Sequence, residues 1–271
     1  MTHPQIAVFA RLAKENTPPV RVLEGQKTLI SRTMHGFAYD AMHDEIVVTS
    51  PLTQAILIFR GGANGEERPV RVIQGPHTQI LGTAYGALDK VSVDPVNNEI
   101  VLPIAPSGVL VFARDANGDV APKRVLSGPD TKIRGVSPVG VDPVHDLLLV
   151  NSGGAMLIFD RTASGNTAPR AVIQGPKSGM GRIDTFQVYP PKGWIIGGCS
   201  GGSVCAWSTN DNGDVAPRWR LPVQQLTGYV ASGVVLDPIH KEVIMSAAGQ
   251  RVRPPSGIMN TVITFSWPEI F

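Results

Sequence analysis

Cysteines, charges and long apolar runs are all scarce in this sequence. It has two cysteines among 271 residues, Cys199 and Cys205, whereas a disulfide scaffold of this size would carry more. Strands joined by residues 200–202 would bring the two together, but buried thiols are the interpretation we favour. No run reaches the roughly 18 apolar residues of a membrane helix, and no secretory signal is visible. We therefore expect a cytoplasmic protein without a membrane segment.

The balance of charge excludes a strongly polyanion-seeking chain. Lys and Arg total 24 and Asp and Glu total 22, so the net charge is +2, and nucleic acid is not an expected partner. Hydrophobic residues at 42% and charged residues at 17% suit a well-buried globular chain. The 29 glycines and 23 prolines require many turns, which excludes helical bundles and coiled coils.

Four sequence markers recur in one order along the chain. They are an apolar run that closes on an aromatic residue, a proline shortly before an arginine, a Gly-Pro pair followed by Thr or Ser, and an apolar residue before Asp-Pro. The closing aromatics are 47 to 58 residues apart, so the chain is built from internal repeats. These aromatics are Phe9, Phe59, Phe112, Phe159, Trp207 and Phe265.

Each repeat contains four short apolar runs separated by turn residues. The third repeat has them at Val139–Asp142, Leu147–Asn151, Ala155–Asp160 and Pro169–Gly175. Runs of this length, rich in Val, Ile and Phe, predict β-strands. A unit of about 48 residues with four antiparallel strands is typical of one propeller blade. The sequence therefore predicts an all-β protein, a β-propeller, with residues 1–271 in one domain.

The blade count follows from the strands, lettered a to d with the Asp-Pro run as a. Strands a, b and d each occur five times and strand c six times, which makes 21. The chain opens with c and d and closes with a, b and c, so we expect the N- and C-terminal strands to close a five-bladed ring. Six blades are the alternative. One c strand is surplus: it is displaced, makes the seam irregular, or pairs with a second copy in a homo-oligomer.

The repeat resembles the NHL-type propeller repeats of bacterial proteins. The resemblance covers Ile6 to about Trp267, and it rests on the apolar strand that ends in Asp, the second strand, and the Ile-x-Val-Phe run with its polar turn. It implies a β-propeller. Relatives of this kind include ligand-binding, protein-binding and nucleic-acid-binding modules and some lactonase- or lyase-type enzymes, so the fold does not choose the function.

Several motifs that suggest chemistry are better explained as turns. His43, His145 and His240 each follow a strand-ending Asp by three residues, which places them in separate a–b turns where they cannot share one metal ion. We therefore expect no metal and no cofactor. The Asn-Gly pairs at 117–118 and 212–213 predict tight hairpins, and the spacing around Asp115 departs from a calcium loop. Ser200 lacks the following helix of a nucleophile elbow.

The residues that break the repeat are the candidate site. Propeller ligands bind where the d–a and b–c loops converge at one mouth, and the expected mouth carries many arginines and few carboxylates. A cationic mouth suits a small anionic molecule or a protein partner. The candidate ligand-binding residues are Arg32, His35, Tyr85, Arg134, Arg182, Asp184, Tyr229, Arg251 and Arg253.

The sequence favours a non-catalytic binding or scaffolding propeller over an enzyme. One alternative is a propeller hydrolase, lactonase or lyase that uses His35, Asp184 and a metal, but one carboxylate is thin support for it. A carbohydrate-binding lectin is the third interpretation. It is disfavoured because Tyr85 and Tyr229 have no equivalent aromatic residues in the other repeats.

Overall fold

The structure is a computed structural model that describes residues 5–31, 36–81, 90–135, 137–181, 183, 185–249 and 260–271. The chain divides into two compact units, residues 1–125 and residues 126–271. They are called unit 1 and unit 2, and each is described by itself.

The protein is an all-β propeller with five blades of four antiparallel strands, as the repeat predicts, which decides against six blades. The described residues contain 21 strands, the number counted from the sequence. Four sheets hold all four strands of a blade, β19–β21 form a three-stranded sheet, and β1–β2 form a two-stranded sheet. Strands β2 and β21 belong to different units, and closure of the ring by these two strands stays a prediction.

The strands of unit 1 are β1 (Gln5–Val8), β2 (Arg21–Glu24), β3 (Phe37–Asp40), β4 (Glu45–Ser50), β5 (Ala55–Arg60), β6 (Arg71–Gln74), β7 (Ser92–Asp94), β8 (Glu99–Ile104) and β9 (Gly108–Ala113). Strand β10 (Arg124–Leu126) reaches the boundary between the units. The four-stranded sheets follow the orders β3-β4-β5-β6 and β7-β8-β9-β10.

The strands of unit 2 are β11 (Val139–Asp142), β12 (Leu147–Ser152), β13 (Ala155–Asp160), β14 (Ala171–Ile173), β15 (Phe186–Tyr189), β16 (Trp194–Cys199), β17 (Ser203–Ser208), β18 (Trp219–Leu221), β19 (Tyr229–Asp237), β20 (Glu242–Gly249) and β21 (Asn260–Ser266). One α-helix occurs in the described ranges, α1 (Val223–Thr227). None of the described helical segments is long and apolar enough to cross a membrane.

In the blade formed by β3–β6, the second and third strands are buried on both faces. Every residue of β4 is buried, and β5 is buried up to its last residue. Such strands read as continuous apolar runs because neither face meets water. The cores of unit 1 include Ile56 and Phe112, and those of unit 2 include Ile158 and Trp207, all fully buried.

The Asn-Gly pairs do not form tight hairpins, which corrects the sequence prediction. They lie in the long connection between the third and fourth strands of a blade and dock on the fourth strand of the preceding blade. In unit 1, Asn117 Oδ1 accepts a hydrogen bond from the Val72 N–H at 3.0 Å, and Gly118 bridges Ile73 in parallel. The positive φ of Gly118 permits this docked turn. In unit 2, Asn212 and Gly213 contact Val172 and Ile173 in the same way.

The aspartate that ends the first strand of a blade closes the following turn. Asp142 is fully buried, and its Oδ1 accepts hydrogen bonds from the N–H groups of Val144 and His145 at 3.1 and 3.0 Å. The ring Nδ1 of His145 lies 2.8 Å from the other carboxylate oxygen. This is the turn that the Asp-Pro repeat predicts. The same bonds to backbone N–H groups occur at Asp40, Asp94 and Asp237.

Candidate functional site

A cavity of about 540 Å³ lies in unit 2 where three segments of chain meet. These segments are the loop that follows β14, the turn between β16 and β17, and the first half of β19. A second cavity, of about 480 Å³, lies in unit 1 beside the loop that follows β6. The cavity of unit 2 is the candidate site because it is lined by three separate elements held by defined hydrogen bonds.

The loop after β14 is fixed by Ser178, which is fully buried. Its hydroxyl donates to the Gly175 carbonyl at 2.7 Å and accepts from the Met180 N–H at 3.1 Å. Its carbonyl accepts from the Trp207 ring N–H at 3.0 Å, and its N–H donates to Asp214 at 2.8 Å. One serine therefore joins the cavity wall to the core and to the connection between β17 and β18.

The turn between β16 and β17 forms the second wall. The Ser200 N–H donates to the Gly179 carbonyl of the first wall at 3.1 Å. Gly201 and Gly202 both have positive φ, the region that favours glycine. The Arg220 guanidinium donates to the carbonyl and to the hydroxyl of Ser200, both at 3.3 Å. The turn is therefore held from two sides.

The third wall is the start of β19, where the register shifts between Ala231 and Gly233. A bulge of this kind changes the direction in which neighbouring side chains project. Thr185 Oγ1 donates to the Ser232 carbonyl at 3.4 Å and accepts from the Val234 N–H at 3.3 Å. This pair of bonds ties the end of the first wall to the third.

Cys199 and Cys205 form a disulfide, which corrects the prediction of two buried thiols. In the hairpin, Cys199 faces Ser203 and Cys205 faces Gly197, so the two cysteines are diagonal neighbours on one face of the sheet. Their Cα atoms are 5.9 Å apart, within the usual range for a disulfide. Because disulfides are typical of oxidising compartments, cysteine usage no longer supports the expected cytoplasmic location.

The described lining combines hydroxyl groups with apolar side chains. Apolar groups come from Met180, Ile183 and Val230, and hydroxyls come from Ser200 and Ser232, among others. Such a surface can bury the apolar part of a small molecule and hydrogen-bond its polar atoms. The sequence does not predict this site, because no single motif contains it. The one local signal is the cluster of small residues at 197–203.

The structure describes two of the nine predicted site residues and brings neither into the cavity lining. Arg134 is exposed in the loop after β10, where its N–H donates to Ser152 Oγ at 2.7 Å. Tyr229 was expected in a loop, but it is the half-buried first residue of β19, since α1 shortens the connection. The remaining seven, Arg32, His35, Tyr85, Arg182, Asp184, Arg251 and Arg253, lie outside the described residues.

Within the described part of the chain, one turn brings together three potential metal ligands that the sequence pattern does not single out, because they come from one blade. Ligand atoms of Asp237, His240 and Glu242 lie within 4.8 Å of one another. The hydrogen bond from His240 lowers the pKa of Asp237, and the His240 ring Nδ1 lies 2.7 Å from Asp237 Oδ2. Asp237 therefore has the bonds that close the same turn in the other blades.

Two buried glutamates, Glu45 and Glu99, begin second strands, and the sequence pattern does not single them out. Glu45 accepts hydrogen bonds from Arg71 and Arg114 at 2.8 and 2.9 Å. Burial alone would raise the pKa of Glu45, but these two bonds outweigh it and lower the pKa. The arginine of the proline-arginine marker thus serves as an ion-pair partner inside the blade, a role that its recurrence could have suggested.

No family model matches the chain, and no curated protein matches it. What is known of the protein is therefore its fold, a five-bladed propeller, and a cavity of small-molecule size in unit 2.

Proposed function

We propose that the protein is a non-catalytic binding propeller of the NHL-like type, with the unit 2 cavity as its ligand site. The observation that carries the proposal is the cavity itself. Its volume of about 540 Å³ lies in the range of roughly 300–1,000 Å³ that is usual for ligand pockets. Two hydrogen bonds join its three walls, from the Ser200 N–H to the Gly179 carbonyl and from the Thr185 hydroxyl to the Ser232 carbonyl, which supports a preformed site.

The ligand in this proposal is a small organic anion. The hydroxyls of the lining suit the oxygens of a carboxylate or phosphate, and the apolar wall suits a short carbon skeleton. The negative charge of the ligand is inferred from the sequence, because Arg182 stands between the lining residues Gly181 and Ile183. An arginine favours planar, doubly hydrogen-bonded contact with such anions.

The test is a binding screen with a variant that fills the cavity. A side chain built on Gly181 meets nothing within 4 Å, and its φ is not in the left-handed region, so Gly181→Leu should fold. The matched control is Ala168→Leu, which adds a similar side chain on an exposed loop of unit 2. A panel of carboxylates, phosphates and neutral analogues is measured by thermal shift and calorimetry.

We expect at least one anion to bind the native protein and the control, and Gly181→Leu to lose that binding tenfold or more. Equal binding by Gly181→Leu would contradict the cavity as the site. Arg182→Ala should weaken binding of the anion and leave binding of neutral analogues unchanged. The opposite result would contradict an anionic ligand. Turnover of a bound compound that disappears in Asp184→Ala would favour the enzyme alternative instead.

We also propose a homo-oligomer as the partner arrangement. In the described part of unit 1, β1 and β2 form a two-stranded sheet. Strand β1 corresponds to the surplus strand c counted from the sequence. An edge strand can pair with a strand of a second copy. Light scattering over a concentration series is the measurement, and a monomer at every concentration would contradict this arrangement.

A further inference from the structure

The disulfide joins two strands that are already paired. Strands β16 and β17 share six register pairs, from Trp194–Ser208 to Cys199–Ser203. The bridge spans a sequence separation of six residues, and a cross-link that closes so short a loop removes less entropy from the unfolded chain than one that closes a long loop. The backbone pairs therefore hold the hairpin in addition to the bridge.

The two sulfur-bearing residues differ in access. Cys199 is partly exposed and lines the cavity of unit 2. Cys205 is fully buried in the core cluster that contains Trp207. Thiol–disulfide exchange requires a thiolate to reach a sulfur atom, so a molecule inside the cavity meets the Cys199 side of the bridge.

A positive charge accompanies the disulfide. Arg220 stands directly opposite Cys205 in the pairing of β17 with β18, and its guanidinium donates to the carbonyl and hydroxyl of Ser200, the residue after Cys199. A guanidinium near a thiol favours the thiolate. Strand β18 therefore places a positive charge next to the hairpin that carries the disulfide.

We propose that the Cys199–Cys205 disulfide is an exchange site for low-molecular-weight thiols that enter the unit 2 cavity. A thiol R–SH attacks the Cys199 sulfur, an R–S–S–Cys199 bond forms, the Cys199–Cys205 bond breaks, and the thiol's proton ends on Cys205. A second R–SH attacks the R–S sulfur, which releases R–S–S–R and leaves the proton on Cys199. Two thiols are oxidised and the protein disulfide is reduced.

Opening of the bridge leaves the rest of the hairpin in place. The backbone pairs of β16 and β17 do not depend on the sulfur atoms. The turn is coupled to the facing loop by the bond from the Ser200 N–H to the Gly179 carbonyl, so a bulky R–S group on Cys199 should loosen that contact. The site thus reacts without global unfolding, with a local effect on the cavity.

The test uses glutathione as the thiol and the native full chain as the protein. After exposure and acid quench, free thiols are alkylated in denaturant and peptides are read by mass spectrometry. We expect glutathione on Cys199, the alkyl group on Cys205, and an unchanged circular dichroism spectrum. Arg220→Gln should react about three- to tenfold more slowly, as expected for loss of one nearby charge, and Arg220→Lys should restore most of the rate.

The control is Lys192→Gln, which removes a positive charge near the other end of β16 and should react at the native rate. The inference is overturned if glutathione appears first on Cys205, or if exchange occurs only in denaturant. Equal rates for native protein and a folded Arg220→Gln variant overturn the part assigned to Arg220. The inference uses the same cavity as the proposed function, but its readout is a mass, so loss of anion binding with normal exchange contradicts only the proposed function.

Discussion

The carboxylate of Asp119 contacts His77 twice, although 42 positions separate the two residues. Its Oδ1 accepts a hydrogen bond from the His77 backbone N–H at 2.7 Å, and its Oδ2 lies 2.6 Å from the ring Nδ1. Asp119 lies in the connection between β9 and β10, and His77 follows β6. The pair therefore joins two successive blades of unit 1. Asp214 and Ser178 form the equivalent backbone contact in unit 2.

Replacement of Asp119 by alanine should destabilise unit 1, because the N–H of His77 loses its acceptor. We expect the melting temperature to fall by a few degrees. Asp119→Asn keeps an acceptor oxygen, so its melting temperature should fall less. Thermal melts followed by circular dichroism measure both variants, and equal losses would show that the contact with the His77 ring rather than the backbone bond carries the effect.

Glu99 is the most strongly perturbed acid among the described residues. Burial would raise its pKa, but hydrogen bonds from Arg124 and Lys123 outweigh that and lower the pKa to about 2. The lengths of these bonds are 2.7 to 2.8 Å. Glu99→Gln removes the buried carboxylate that accepts two hydrogen bonds from the half-buried Arg124, so we expect a loss of roughly 3 kcal/mol in the free energy of unfolding at pH 7.

The pH dependence of that loss follows from the direction of the shift. An acid with a depressed pKa stabilises the folded state above its unfolded pKa, near 4.5, and this stabilisation disappears as the pH falls towards about 2. The difference between native protein and Glu99→Gln should therefore shrink between these values. Urea unfolding at several pH values measures it. A difference that is constant down to pH 2 would contradict the ion-pair explanation.

The sequence predicts the blade scaffold well because the scaffold is a local pattern. Strands β11 and β13 begin and end at the residues predicted from apolar runs and turns, Val139–Asp142 and Ala155–Asp160. The Asn-Gly turns were predicted as tight hairpins because sequence shows that a turn is needed, but not what it docks on. Their partners are fourth strands about 40 residues earlier.

The cavity could not be predicted, since its lining residues lie up to 59 positions apart in the sequence, from Gly175 to Val234. The disulfide could not be predicted either, because it depends on which residues of β16 and β17 are paired. Pairing of Cys199 with Ser203 places Cys205 diagonally opposite on the same face, and composition contains no information about register. The arginine-rich mouth stays a prediction, because seven of its nine residues lie outside the described ranges.

The buried aspartate of the Asp-Pro turn should matter more than its histidine partner. Asp142 is fully buried and accepts two backbone N–H bonds, whereas the side chain of His145 is 39% exposed. We expect Asp142→Ala to cost roughly 2–3 kcal/mol, because two N–H groups lose their acceptor, and His145→Ala to cost less than about 1 kcal/mol. Urea unfolding of the two variants provides the comparison, and a larger loss for His145→Ala would contradict this order.

Ser178 should affect the cavity in a way that its counterpart in the preceding blade does not. Thr131 makes the same two local bonds, from its hydroxyl to the Gly128 carbonyl and from the Ile133 N–H to its hydroxyl. Ser178→Ala and Thr131→Val each remove such a hydroxyl from a fully buried position, so both should lose roughly 1–3 kcal/mol of unfolding free energy.

The two variants should differ in hydrogen exchange at the cavity. The Ser178 hydroxyl accepts from the Met180 N–H, and the next loop residue, Gly179, accepts from the Ser200 N–H. Loss of the hydroxyl in Ser178→Ala should therefore speed amide exchange at both donors, while Thr131→Val leaves these amides at the native rate. If Thr131→Val speeds exchange at Ser200 as much as Ser178→Ala does, the loosening is global, and Ser178 is not the residue that sets the cavity wall.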